Sequence, residues 1–406
     1  MKRFLVAQIA IVSILFSGGW NWFIAVNNRP RLPRLNDLPR ALSPQHNYPF
    51  VVTDDQLNEV LERAKPNFDK SPKVNFVDHA LRLWGSDVLF EDGSLDGPQM
   101  LEMMLNDTRF RQTWGNETPA LLTRSVAGIE VQTQVGRTTV SHVDHLVGTL
   151  AEIGVELSHE VISNDGPGTV GDLLRHAILN FHLNQKEYEW TALAAALYTV
   201  DGDHWYCDEG QEISFDSLAD RMMRQHQPLG VCYGQHRLYS LVMMLRVDDQ
   251  LRNEDQWLFS LATRQKVKNY LLAMTRRFHK NQSREGYWDG NWTDTNRSIP
   301  DPGTDELSRR ILATGHVLEW WAMAPNDLHP PRETIIRAAQ WLARNIIEMD
   351  KRQIEANYTF ITHAARALSL WRGQQAEDFY IGQSTKKLVE FAMESQNQPL
   401  GTKICK

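Results

Sequence analysis

The chain has 406 residues, 42% of them apolar and 23% charged, with a net charge of −7. That acidic balance, with no long Lys/Arg run, excludes a nucleic-acid partner, which needs a basic face. Three cysteines, Cys207, Cys232 and Cys405, exclude a disulfide-stapled scaffold. They leave open one Cys207–Cys232 bridge or two buried free thiols.

Lys2 and Arg3 precede an uncharged run from Phe4 to Val26, with Trp20, Trp22 and Phe23 near its end. As a helix rising about 1.5 Å per residue, it would span about 34 Å, enough to cross a bilayer. The reading for 1–26 is a transmembrane anchor, with a cleaved signal peptide as the alternative. The main domain is then expected on the extracytoplasmic side. Arg29, Arg31, Arg34 and Arg40 pull against that orientation under the positive-inside rule. Residues 27–52 carry prolines at irregular spacing, which deny a helix its donors, and read as a linker. Removing residues 1–26 is therefore expected to leave a soluble, folded protein.

From residue 53 to 406 the pattern is helical. Apolar residues at i, i+3, i+4 and i+7 predict helices at 55–64, 73–85, 96–107, 142–157, 168–184, 189–200, 214–226, 233–248, 262–280, 308–324, 333–348, 358–373 and 383–395. A short alternating stretch, Ile129–Val140, predicts an inserted β-hairpin. One set of helices is amphipathic and reads as an outer layer. The other set, including EWTALAAALYTV and ATGHVLEWWAMAP, is apolar nearly all round and reads as buried.

Five buried helices carry a histidine near their start: His79, His145, His236, His316 and His363. The intervals are 66, 91, 80 and 47 residues. The interval of 91 is about two units of 46 and contains the buried helix 189–200, which lacks the histidine. Six helical hairpins follow, two of them lengthened, so the predicted fold class is an all-α, α/α toroid with an N-terminal membrane segment. The five histidines are expected on inner helices, pointing to one axis.

The junction Gln282-Ser-Arg-Glu-Gly286-Tyr-Trp288-Asp-Gly-Asn-Trp292 resembles the QW motif of the squalene/terpenoid cyclase and protein prenyltransferase superfamily. The resemblance implies a toroid of hairpins, with the glutamine bonding the next helix and the aromatic stacked beneath it. It does not carry the activity over. No Asp-x-Asp-Asp run occurs, Asp248-Asp249 continues as Gln-Leu-Arg, and the zinc pattern of the prenyltransferases is missing. VCYGQH, residues 231–236, resembles one motif of the zinc-binding lanthionine cyclases, whose other motifs are absent.

Residues i, i+3 and i+4 share a helix face. Arg82 thus joins His79, Tyr239 joins His236, Glu319 joins His316, and Arg366 joins His363; His145 has Gly148 there and Glu152 one turn further. These polar stripes predict a shared central cavity, because buried polar groups need partners. The bland alternative is that each histidine bonds a nearby carbonyl, with Asp78 and Asp144 as dipole partners.

Glu319 and His316 are the candidate catalytic pair. His79, Arg82, His145, His236, Tyr239, His363, Arg366, Trp288 and Trp292 are the candidate substrate-binding residues. Trp288 and Trp292 are expected in a loop over 286–307 at the cavity mouth, offering flat faces to a sugar ring; the alternative, stronger for Trp288 than for Trp292, is that they only pack the hairpin junction. Imidazoles from different helices could bind zinc, and Cys207 and Cys232 lie near hairpin junctions, but no two of these ligands sit at a compact spacing such as H-E-x-x-H, so no metal and no cofactor is assigned. The expected function is binding or processing of a polar, possibly glycan, small molecule. The alternatives are a non-catalytic membrane-anchored scaffold and a terpenoid-cyclase- or prenyltransferase-like enzyme.

Overall fold

The computed structural model describes residues 32–383, except 69–70, 134–135, 183, 186, 227–229 and 294–303. Its helices in chain order are α1 (Asp54–Arg63), α2 (Val74–Trp84), α3 (Gly97–Leu105), α4 (Asp107–Trp114), α5 (His145–Glu152), α6 (Val170–Leu179), α7 (Glu189–Tyr198), α8 (Phe215–Arg224), α9 (Gln235–Arg252), α10 (Leu261–Asn281), α11 (Glu306–Met323), α12 (Arg332–Glu348), α13 (Lys351–Ala356) and α14 (Tyr358–Trp371).

Local chemistry sets the ends of many of them. Thr53 with Gln56, Asp96 with Gln99, and Asp350 with Gln353 form capping boxes at α1, α3 and α13. Layer assignment follows from the apolar pattern. Every residue of α7 is buried, as a helix apolar all round requires. The much longer α10 buries only Thr263, Val267, Leu271, Thr275 and Phe278, one stripe at helical spacing.

The buried helices close on themselves. α2 packs on α5, α5 on α7, α7 on α9, α9 on α11, α11 on α14, and α14 returns to α2. The remaining long helices flank this ring: α3 lies on α2, α6 and α8 on α7, α10 on α9, and α12 on α11 and α14.

One end of the ring is strapped shut by residues 32–52. The last carbonyls of a helix have no partner within it. Here Asn36 and Arg40 donate backbone N–H groups to Tyr198 and Leu197, at 2.7 and 2.8 Å, and Tyr48 donates to Trp371 at 2.8 Å. His46 Nε2 donates to the Ala324 carbonyl at 2.9 Å. Leu42, Val51 and Val52 join the core. The stretch read as a linker is thus, over 32–52, part of the folded body.

The fold class needs correcting. Among the described residues no helix is long and apolar enough to cross a membrane, so the membrane segment is not supported. The run on which it rested, 1–26, lies outside the described residues, as does the helix expected at 383–395 beyond residue 383. The hairpin expected within Ile129–Val140 also differs. Ile129–Val131 (β2) pairs with the upstream Leu122–Arg124 (β1), and 136–138 is a 3-10 turn. Two more antiparallel pairs, Glu160–Ser163 with Gly166–Thr169 (β3, β4) and Trp205–Tyr206 with Glu212–Ile213 (β5, β6), carry too few residues for an alternating pattern. Cys207 and Cys232 are free thiols.

Candidate functional site: a histidine and cysteine cluster in the ring

All five repeat histidines lie on ring helices and are buried. Their rings touch: His79 stacks on His145 at 4.4 Å, His316 lies 4.0 Å from His363, and His236 lies 4.8 Å from His316. The sixth ring helix has no histidine but offers Trp190 in its place. That indole lies edge-on to His145 at 4.4 Å and to His236 at 5.0 Å. Trp190 also explains Gly148: a Cβ there would come within 2.7 Å of the indole.

Beneath the imidazoles is a neutralised floor. Glu319 Oε1 accepts from Arg82 Nη1 and Arg366 Nη1, both at 2.7 Å. Its Oε2 faces His316 Nδ1 at 3.3 Å and His363 Nδ1 at 3.1 Å. Glu152 accepts from Arg82 Nε at 2.6 Å, from Arg366 Nη2 at 3.0 Å, and from the Tyr239 hydroxyl. Two guanidinium and two carboxylate charges cancel. Burial works against the Glu319 carboxylate, but Arg82, His363 and His316 hold it well below the usual range.

This geometry reassigns several candidates. Glu319 is 2% exposed and saturated by four donors, so it cannot pass a proton to a ligand. It orients His316 and His363. Arg82 and Arg366 each bridge the two carboxylates, with Arg82 Nη2 and Arg366 Nε left buried and unpartnered among the described residues. Tyr239 completes the floor. Trp288 and Trp292, expected at the mouth with free faces, are fully buried. Trp288 Nε1 donates to the Phe278 carbonyl at 2.9 Å, and Trp292 stacks on Phe278 at 4.0 Å. They pack the hairpin junction; residues 294–303 of the expected loop lie outside the described residues. Gln282 donates to the Gly286 and Thr334 carbonyls, each at 2.8 Å, rather than accepting from orphan N–H groups.

Above the floor lies a cavity of about 260 Å³, whose wall includes Asn75, His79, His142, Cys232, Phe360 and His363. Cys232 was weighed from the sequence only as a possible zinc ligand, and His142 was not singled out. Cys232 Sγ is 3.9 Å from His142 Nε2, and Glu187 lies 3.5 Å from His142 Nδ1. Burial alone would raise the thiol, but His316 and His142 beside it bring it down to about 6. Burial would lower His142, but Cys232 and Glu187 raise it to about 10.

Cys232 is presented on a strained turn. Cys232 and Tyr233 both hold positive φ, 47° and 58°, in the 3-10 turn that leads into α9. Non-glycine residues in this region cost of order 1–3 kcal/mol each and persist only where their surroundings enforce them. Here Trp292 Nε1 donates to the Tyr233 carbonyl at 3.0 Å. Gly290 packs so close to the Tyr233 ring that a Cβ would lie 2.7 Å from it. The QW-like junction thus buttresses the cysteine.

Four of the five histidines turn Nδ1 to a carbonyl or a carboxylate. Nδ1 of His79 donates to the Asn75 carbonyl at 2.8 Å, and Nδ1 of His145 meets Asp78 Oδ2 at 2.6 Å. His316 and His363 turn Nδ1 to Glu319. The opposite nitrogen, Nε2, of His145 and of His236 is buried with no hydrogen-bond partner among the described residues. Burial first, and neighbouring imidazoles after it, push His236 and His363 well below the usual histidine range. Burial does the same to His79 and His145. These four imidazoles are held neutral, whereas His316 goes the other way: burial would lower it, but Cys232 and Glu319 beside it raise it above the usual range.

No protein family, no curated protein and no solved structure matches this chain. The likeness to the cyclase and prenyltransferase superfamily rests on the junction motif alone.

Proposed function

We propose that the protein is an enzyme that takes a small polar substrate into the cavity at the ring's mouth and processes it at Cys232 and His142. The observation that carries this reading is the convergence of neutral imidazoles with a free thiol on one cavity wall. The cavity lies just below the roughly 300–1,000 Å³ of sites for drug-sized ligands, so it suits a single sugar ring or amino acid. His79 and His363 supply wall groups that accept hydrogen bonds from substrate hydroxyls or amines. An isoprenoid-cyclising activity is disfavoured by the same chemistry: the ring's interior is charged and imidazole-rich, where a carbocation path needs an apolar, aromatic wall.

The reading is tested by thermal-shift screening of neutral sugars, uronic acids, amino acids and isoprenoid diphosphates. The expected result is stabilisation of the wild type by one polar class, lost in His363→Gln. Stabilisation by isoprenoid diphosphates alone, or a polar hit that ignores His363→Gln, would overturn it.

A further inference from the structure

We propose that the mouth of the ring is a transition-metal centre of the zinc class, held by Cys232 Sγ with Nε2 of His142 and of His236, and with His316 at hand as a fourth donor. The inference rests on the cavity reading above and names what the cavity's reactive wall binds.

Three observations carry it. First, the donor set is compact: one ligand atom each from His142, Cys232 and His236 lies within 4.8 Å of the other two, and the same holds for His236, His316 and His363. A tetrahedral ion with bonds of about 2.3 Å to sulfur and 2.0–2.1 Å to nitrogen sets S···N at roughly 3.5 Å. The observed 3.9 Å between Cys232 Sγ and His142 Nε2 closes to that with a small rotation of either side chain.

Second, the far side of the rings is arranged as ligand histidines require. A metal-bound imidazole almost always gives its other nitrogen to a carboxylate or a carbonyl. Glu187 stands at His142 Nδ1, and Glu319 at Nδ1 of His316 and His363. The buried floor of Arg82 and Arg366 keeps Glu319 an anion for that task. Third, Nε2 of His236 has no partner among the described residues, although the residue is more than nine-tenths buried, and His316 already turns to the Cys232 thiol. An unsatisfied imidazole nitrogen beside a thiol that other imidazoles already face is what an N/S-binding ion would satisfy.

The neighbouring set Asp78, His79 and His145 does not make a second site. Both oxygens of Asp78 are already in use, one by Thr149 Oγ1 at 2.9 Å and one by His145 Nδ1 at 2.6 Å. One thiolate with imidazoles suits zinc, or cobalt in its place, better than the all-oxygen shell that magnesium or calcium takes. The lining of the cavity by Cys232 and His142 leaves one side of the ion facing substrate.

The test uses the full chain, stripped with a chelator and titrated with Co²⁺ followed by Zn²⁺. The expected result is one cobalt per chain, visible d–d bands of a tetrahedral site, a near-ultraviolet thiolate-to-cobalt band, and displacement by zinc. Cys232→Ser should lose the thiolate band while far-UV circular dichroism shows the fold kept, and His236→Gln should weaken affinity at least about 10-fold. Absence of stoichiometric cobalt, or cobalt bound equally and without a thiolate band in wild type and Cys232→Ser, would overturn the proposal. The two readings fail separately. A polar ligand that still stabilises the chelated protein through His363 keeps the cavity and removes the metal, and the converse result removes the substrate reading alone.

Discussion

At the residue scale, the chain's most consequential side chain is Glu319, and its role comes from its surroundings. Four donors on α2, α11 and α14 fill all four of its lone-pair directions. Removing one partner of a buried ionic network leaves uncompensated charge and costs about 3–5 kcal/mol. Glu319→Ala is therefore expected to lower unfolding free energy by about that amount in denaturant titration; a loss below 1 kcal/mol would show that the floor is not held by charge. A second residue-scale expectation concerns Glu377. Burial, with Asp87 and Asp378 nearby, raises its carboxyl from 4.5 to about 7. The folded chain binds this proton more tightly than the unfolded chain, so the stability it brings is full below pH 4.5 and is lost as pH rises through 7. Glu377→Gln should match the wild type at pH 4 and melt higher than it at pH 8; equal melting at both pH values would contradict this. The histidines were legible because the same residue recurs at the same place on five apolar helices. The fate of Arg82, Arg366 and Glu319 was not, because each needs partners on helices far away in sequence, such as Glu152 for Arg82 across 70 residues.

At the element scale, the junction 282–293 fixes both packing and the reactive turn. The QW-like spelling correctly marked a hairpin junction, but it placed Trp288 and Trp292 at the mouth because burial cannot be read from a Gly- and Asp-rich stretch. What holds them inside is the chain of contacts from Phe278 through Trp292 to the Tyr233 carbonyl. Gly290→Ala adds a methyl 2.7 Å from the Tyr233 ring, so the turn carrying Cys232 must shift. Overpacking of this kind costs about 1–3 kcal/mol. The variant is expected to fold with reduced stability and a changed rate of Cys232 alkylation by iodoacetamide. An unchanged rate would mean that the junction does not support the turn. The pairing of Cys232 with His142 was hidden by distance along the chain. His142 arrives 90 residues earlier, and no local spacing links the two.

At the scale of the whole molecule, the ring has a strapped end and a reactive end. Residues 32–52 satisfy the last carbonyls of α7 and α14 and cover their ends with Leu42, Val51 and Val52. Burying each such side chain is worth about 1.5–3 kcal/mol. A chain lacking residues 1–52 should accordingly melt well below one lacking only residues 1–26, since none of the contacts described precedes residue 32; equal melting would make the strap dispensable. The helical layers were legible from the contrast between stripes and all-round apolar segments. The strap was not, because a proline-rich stretch carries no periodicity even when it is packed. The account stands most directly on the claim that the ring turns the neutral imidazoles of His79 and His363 into the cavity wall. Nitrogen-15 NMR of the histidine-labelled protein at pH 7, assigned by single His→Gln variants, reads that claim. The account predicts neutral imidazoles at both, with the Nδ1–H tautomer and an unprotonated Nε2 at His79, whose Nδ1 faces the Asn75 carbonyl. Imidazolium signals at either, or the Nε2–H tautomer at His79, would contradict it.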